Sequence, residues 1–130
     1  MLNQPNFLRT ILTLDAVTCV ATGTLMAVAA TRLSSLMLIP ANVLWIAGMS
    51  LFPFAVFIAV VAARLPRSLT GVWLVIGGNA AWVIGSLTLL VDGGFSPNAP
   101  GTAFIVVQAV AVAILAELEF VGLRQYPTLA

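Results

Sequence analysis

The stretch LRTILTLDAVTCVATGTLMAVAA, residues 8–30, decides the fold. It is 23 residues long, and its only charges are Arg9 at one end and Asp15 inside. A helix rises 1.5 Å per residue, so about 20 predominantly apolar residues cross a bilayer. The stretch reads as a membrane span holding one aspartate where a charge is costly.

The rest of the chain repeats this pattern. Of its 130 residues 62% are hydrophobic and 7% charged, against about 25% charged in an average soluble domain, and the mean hydropathy is +1.15. So much apolar surface has lipid as its solvent. Three further segments qualify as spans: Asn42–Ala63, Leu69–Val91 and Gly101–Leu123. The connectors carry turn chemistry. TRLSSLMLIP ends in Pro40, RLPRS is tight around Pro66, and DGGFSPNAPG is rich in glycine and proline. Short connectors make sequential helices antiparallel neighbours. The expectation is an all-α membrane protein: one domain over residues 1–130, with four transmembrane helices in an up-down-up-down antiparallel bundle.

Arginine placement orients it. All five basic residues are arginines. With four spans, Arg9, Arg64, Arg67 and Arg124 share one side and Arg32 stands on the other beside Asp92. Both termini are therefore expected in the cytoplasm, and the bias opposes dual topology. Trp45 and Trp73 fall near opposite interfaces, as an aromatic belt requires. MAVAATR has the small residues of a signal-peptidase site, but Asp15 interrupts the apolar run before it, so residues 8–30 read as a retained span.

Missing residue types prune function. Histidine and lysine are absent. The commonest general base and metal ligand is thereby lost, and so is Schiff-base chemistry. The single Cys19 makes neither an internal disulfide nor a multi-thiolate metal site. A net charge of +1 offers no surface to nucleic acid. No nucleophile elbow, phosphate loop or HExxH motif is found. The expectation is a non-enzymatic protein with no cofactor and no metal, whose partners are the lipid bilayer and either its own copies or a larger membrane complex.

What remains is a small set of polar side chains. Residues 3, 4, 7 and 11 apart share a helix face, so Asp15, Thr18, Cys19 and Thr22 form one stripe. Asn79, Trp82, Val83 and Ser86 form another. Gly77, Ala81 and Gly85 make a small-residue ridge suited to helix packing, and Pro53 is expected to kink the second span. Glu117 and Glu119 lie 200° apart. Glu117 aligns with Ala113, Val110 and Arg124, whereas Glu119 aligns with Leu115, Val112 and Gln108. By helix rise Asp15 lies about 10 Å, Glu117 roughly 9 Å and Asn79 about 15 Å from the cytoplasmic boundary.

Two readings of these acids follow. In one, Asp15, Glu117 and Glu119 form structural ion pairs with snorkelling Arg9, Arg64 or Arg124, and Asn79 is interhelical glue. In the other, Asp15, Glu117 and Asn79 bind a proton or cation, with desolvation making protonation a switch. The first suits an accessory, scaffold or assembly subunit working through helix–helix contacts. The second suits a small proton- or cation-coupled transporter or channel using Asp15.

The patterns LDA (Leu14–Ala16), NAAW (Asn79–Trp82) and AELEFVGLR (Ala116–Arg124) resemble a group of small uncharacterised four-helix inner-membrane proteins of proteobacteria. The likeness covers most of the chain and implies location and architecture, with no assigned activity. In architecture the chain is also similar to the small multidrug resistance transporters, where an acid in the first helix binds protons and cations. That resemblance places the role on Asp15, although TLDAVTCVAT departs from the family's glutamate motif.

Overall fold

A computed structural model describes residues 4–65 and 67–125. The expected turn at Pro66 falls outside them. The described residues form five helices: α1 Gln4–Val28, α2 Ala30–Met37, α3 Ala41–Ala63, α4 Leu69–Asp92 and α5 Ala99–Arg124. No strand occurs among them. α1, α3, α4 and α5 are each long and apolar enough to cross a membrane. Large apolar residues such as Leu74, Ile84 and Val107 point outward, as lipid-facing positions do. This is a multi-pass, all-helical membrane protein.

α2 departs from expectation, because the sequence from Thr31 to Pro40 reads as a connector. Helical hydrogen bonding instead runs through Ala29, whose N–H donates to Leu25 O at 3.0 Å and whose carbonyl accepts from Leu33 at 2.8 Å. α2 ends only at Leu38, a non-glycine residue with φ 55° whose N–H returns to Ser34 O. Pro40 then sits at the N-cap of α3, with ψ 137°, because proline lacks the N–H to continue α2 and suits a helix start.

Polar side chains finish the helix ends, whose last carbonyls lack intrahelical donors. Arg9 Nε donates to Ala62 O at 3.2 Å, Arg9 Nη2 to Leu65 O at 3.5 Å, and Ser68 Oγ to Val61 O at 2.6 Å. At the start of α5 the Asn98 carboxamide accepts from Gly101 N at 2.9 Å and donates to Leu36 O at 2.8 Å. One asparagine thus caps α5 and ties it to α2.

The helices pack unequally. α1 lies most closely on α3, and α4 on α5, while α1 and α5 join the two pairs and α3 barely meets α4. The α1–α3 contact depends on two glycines. A Cβ on Gly23 would sit 2.7 Å from Gly48 O, and one on Gly48 would sit 2.8 Å from Met26 Cβ. Gly77, Ala81 and Gly85 are expected as a helix-packing ridge, but within this chain a Cβ on either glycine meets nothing within 4 Å, and Ala81 between them is exposed. The expected ridge therefore faces outward within this chain. Pro53 lies on an exposed face inside an α3 that continues through it.

Gly48→Ala is expected to lower the stability of the folded bundle by about 1–3 kcal/mol, the usual range for overpacking. Gly77→Ala and Gly85→Ala should be neutral or stabilising by up to about 1 kcal/mol. Thermal unfolding in detergent micelles compares them, and equal effects at the three glycines would refute the assigned packing.

Candidate functional site

Asp15 enters the bundle from the middle of α1, in register with Leu8 and Leu12, which are fully buried. Its own exposure is 2%, and Asn79 of α4 matches it at 2%. Asn79 Nδ2 donates to Asp15 Oδ2 at 2.7 Å and to Glu119 Oε1 at 2.9 Å. One amide nitrogen therefore bridges carboxyl groups from α1 and α5. Cys19, one turn beyond Asp15, places its thiol 3.7 Å from Asp15 Oδ1 as a weak donor. Glu119 is completely buried, and its Oε2 has no hydrogen-bond partner.

Glu119 thus takes the place that Glu117 was expected to hold. The two acids point in different directions along α5, and Glu117 is exposed. The rotation of α5 is set by its contact with α1 beyond the site. A Cβ on Gly122 would already stand 3.2 Å from Leu8 Cδ1 and Phe7 Cδ2, so Gly122 must face α1. Glu119, one turn earlier on the same face, turns inward with it. A search for a glycine at i+3 from a membrane glutamate finds this signal, but glycine alone does not say which helix it meets.

The arginines do not reach this centre. Among the described residues, the hydrogen-bond donors to Asp15 and Glu119 are Asn79 and Cys19, both uncharged. Arg9 serves the end of α3. Arg64 is exposed, and the Arg124 guanidinium lies 5.6 Å from the centre of the Phe120 ring. Phe120 in turn meets Trp73 edge-on at 5.8 Å.

A cavity of about 610 Å³ opens beside the triad. Its lining includes the whole expected α1 stripe, Asp15, Thr18, Cys19 and Thr22, with Asn79 and Trp82 of α4 and Gln108 of α5. Leu51, Phe54, Val107 and Val112 supply apolar walls. Ser50, Ala81 and Val107 are exposed as well as lining, so the cavity has a mouth on the outer surface of the helices. Mostly apolar walls with a few convergent polar groups are the usual composition of a small-molecule site.

A second cavity of about 270 Å³ lies further along, between Met26, Ala47, Leu89 and Phe104. Ala81, Trp82 and Gln108 line both. Trp82 Nε1 donates to Gln108 Oε1 at 2.6 Å, and Gln108 Nε2 donates to Ser86 Oγ at 3.0 Å. The wall between the cavities is therefore a hydrogen-bonded indole and carboxamide rather than loose packing. By spacing Trp82 stands on the Asn79 stripe and Gln108 on the Glu119 face.

No group of histidine, cysteine, aspartate and glutamate suited to a metal ion occurs among the described residues. Comparison with protein-family models, with curated proteins and with solved structures found no match.

Asn79→Leu should destabilise the bundle by about 1–3 kcal/mol, because it leaves buried carboxyl oxygens without their donor. Glu117→Gln, at an exposed position, should change stability by less than about 0.5 kcal/mol. Unfolding in mixed micelles measures both, and an Asn79→Leu protein as stable as wild type would show that the bridge contributes nothing.

Proposed function

We propose that the chain is a small proton- or cation-coupled carrier, with Asp15 as the anionic anchor of its binding cavity. The observation that carries this reading is the environment of Asp15: buried, bonded among the described residues to neutral donors, and lining a cavity of about 610 Å³. An acid kept for stability alone would be expected to have its arginine. Here the carboxyl points to a space large enough for a drug-sized molecule. Apolar walls with one acidic anchor suit a lipophilic cation, which needs both a low-polarity surround and a counter-charge.

With this reading goes a bacterial inner-membrane location, following the resemblance to small four-helix inner-membrane proteins, with both termini in the cytoplasm, following the arginine bias. The up-down arrangement is supported by the order of the lining residues. From the first cavity to the second, residue numbers rise along α1 and α4 and fall along α3 and α5. A second reading, an accessory or assembly subunit, is favoured by the exposed Gly77–Ala81–Gly85 ridge, since small residues admit a neighbouring helix.

The test uses tetraphenylphosphonium as a lipophilic-cation probe and the fluorescence of Trp82, which lines the cavity. In lipid nanodiscs the probe should quench wild-type fluorescence saturably. Trp82→Phe should remove that component, and Asp15→Asn should weaken the apparent affinity at least tenfold. Quenching that is absent, or equal in wild type and Asp15→Asn, removes the carrier reading and leaves the accessory subunit.

A further inference from the structure

Glu119 poses a proton-counting problem that the cavity does not explain, since Glu119 is not among the cavity's lining residues. Its Oε1 takes one N–H of Asn79, and its Oε2 is buried with no donor. Asp15 is better supplied, with Asn79 at one oxygen and the Cys19 thiol at the other. One Asn79 nitrogen holds an oxygen of each carboxyl, at 2.7 and 2.9 Å, so the two acids are direct neighbours. Two ionised carboxylates sharing one neutral amide in a lipid-embedded bundle would repel each other with no cation between them.

Among the described residues, the neighbours supply no cation. α3 has no ionisable residue, and α4 has only Asp92 at its far end. On α1 the further titratable group at the pair is Cys19, whose thiol meets Asp15 Oδ1. Arg9 is engaged at the end of α3, and on α5 Arg124 lies over Phe120.

We infer that Asp15 and Glu119 hold a single proton between them, seated on Glu119 at rest, and that this proton is the one coupled to cation release. A proton on Oε2 converts the orphan oxygen into a hydroxyl and removes one of the two neighbouring negative charges. The pair then carries one negative charge, on the carboxylate that faces the cavity. Release follows when the proton crosses: the O–H bond at Glu119 breaks, one forms at Asp15, and the charge moves to Glu119. The total charge of the pair is unchanged, but the cavity has lost its anchor. Asn79 is the positioning residue, holding both carboxyls on one nitrogen. The release role rests on the carrier reading, whereas the shared proton stands without it.

Infrared spectroscopy of the purified protein in lipid at neutral pH counts protonated carboxyls through their carbonyl stretch. One such band is expected. It should shift on labelling glutamate carboxyls with carbon-13, stay put on labelling aspartate, survive Glu117→Gln and vanish in Glu119→Gln. Only two glutamates exist in the chain, so the label and Glu117→Gln assign the band even if Glu119→Gln fails to fold. No band, two bands, an aspartate-derived band, or loss in Glu117→Gln would each overturn the shared proton. If probe quenching persists without the band, the cavity remains a cation site and only the proton store falls. The band without quenching keeps the proton and removes the carrier.

Discussion

The amide of Asn79 is the constraint on which the centre of the bundle depends. Its one nitrogen holds Asp15 of α1 at 2.7 Å and Glu119 of α5 at 2.9 Å, so it crosses the boundary between the two closely packed helix pairs. Apolar packing gives little preference among helix rotations in lipid, because the tails are as apolar as the side chains. Polar side chains that must find one another supply that preference. Buried polar groups are tolerable only if they are partnered, and Glu119 Oε2, the one fully buried side-chain oxygen without a partner among the described residues, is the atom that a proton would complete.

Packing elsewhere serves the same arrangement. Gly23 and Gly48 bring α1 against α3, and Gly122 brings α5 against Leu8 and Phe7. α3 and α4, by contrast, scarcely touch, and the larger cavity lies among α1, α3, α4 and α5 with Asp15 and Asn79 in its wall. Close contact along two seams and its near absence along a third leave room for a ligand without loosening the whole bundle. The Trp82–Gln108–Ser86 chain then divides the space into a compartment that contains Asp15 and one that does not.

Much of this was legible in the residues. The four apolar segments declare the spans, and Asp15, Thr18, Cys19 and Thr22 fall on one face of α1 by spacing alone. All four line the cavity. α2 was hidden because TRLSSLM is too short and polar for a span and lies before a proline, while its helical hydrogen bonds depend on continuity with α1 through Ala29. Glu117 and Glu119 could not be ranked from spacing, since opposite faces of one helix look alike until a neighbour is placed. The neighbour is α1, and only the three-dimensional contact at Gly122 decides it. The same holds for the close-packed glycines: Gly77 and Gly85 have the conventional spacing, whereas Gly23 and Gly48 sit on different helices with no local signature.

The most direct measurement of the central claim is a double-mutant cycle between Asp15→Asn and Glu119→Gln, read by unfolding free energy in mixed micelles. Residues coupled through one amide and one proton should be non-additive by more than about 0.5 kcal/mol, with the double variant less destabilised than the two single losses together. Additivity within about 0.5 kcal/mol would mean that the two carboxyls act independently, and the shared centre would have to be abandoned.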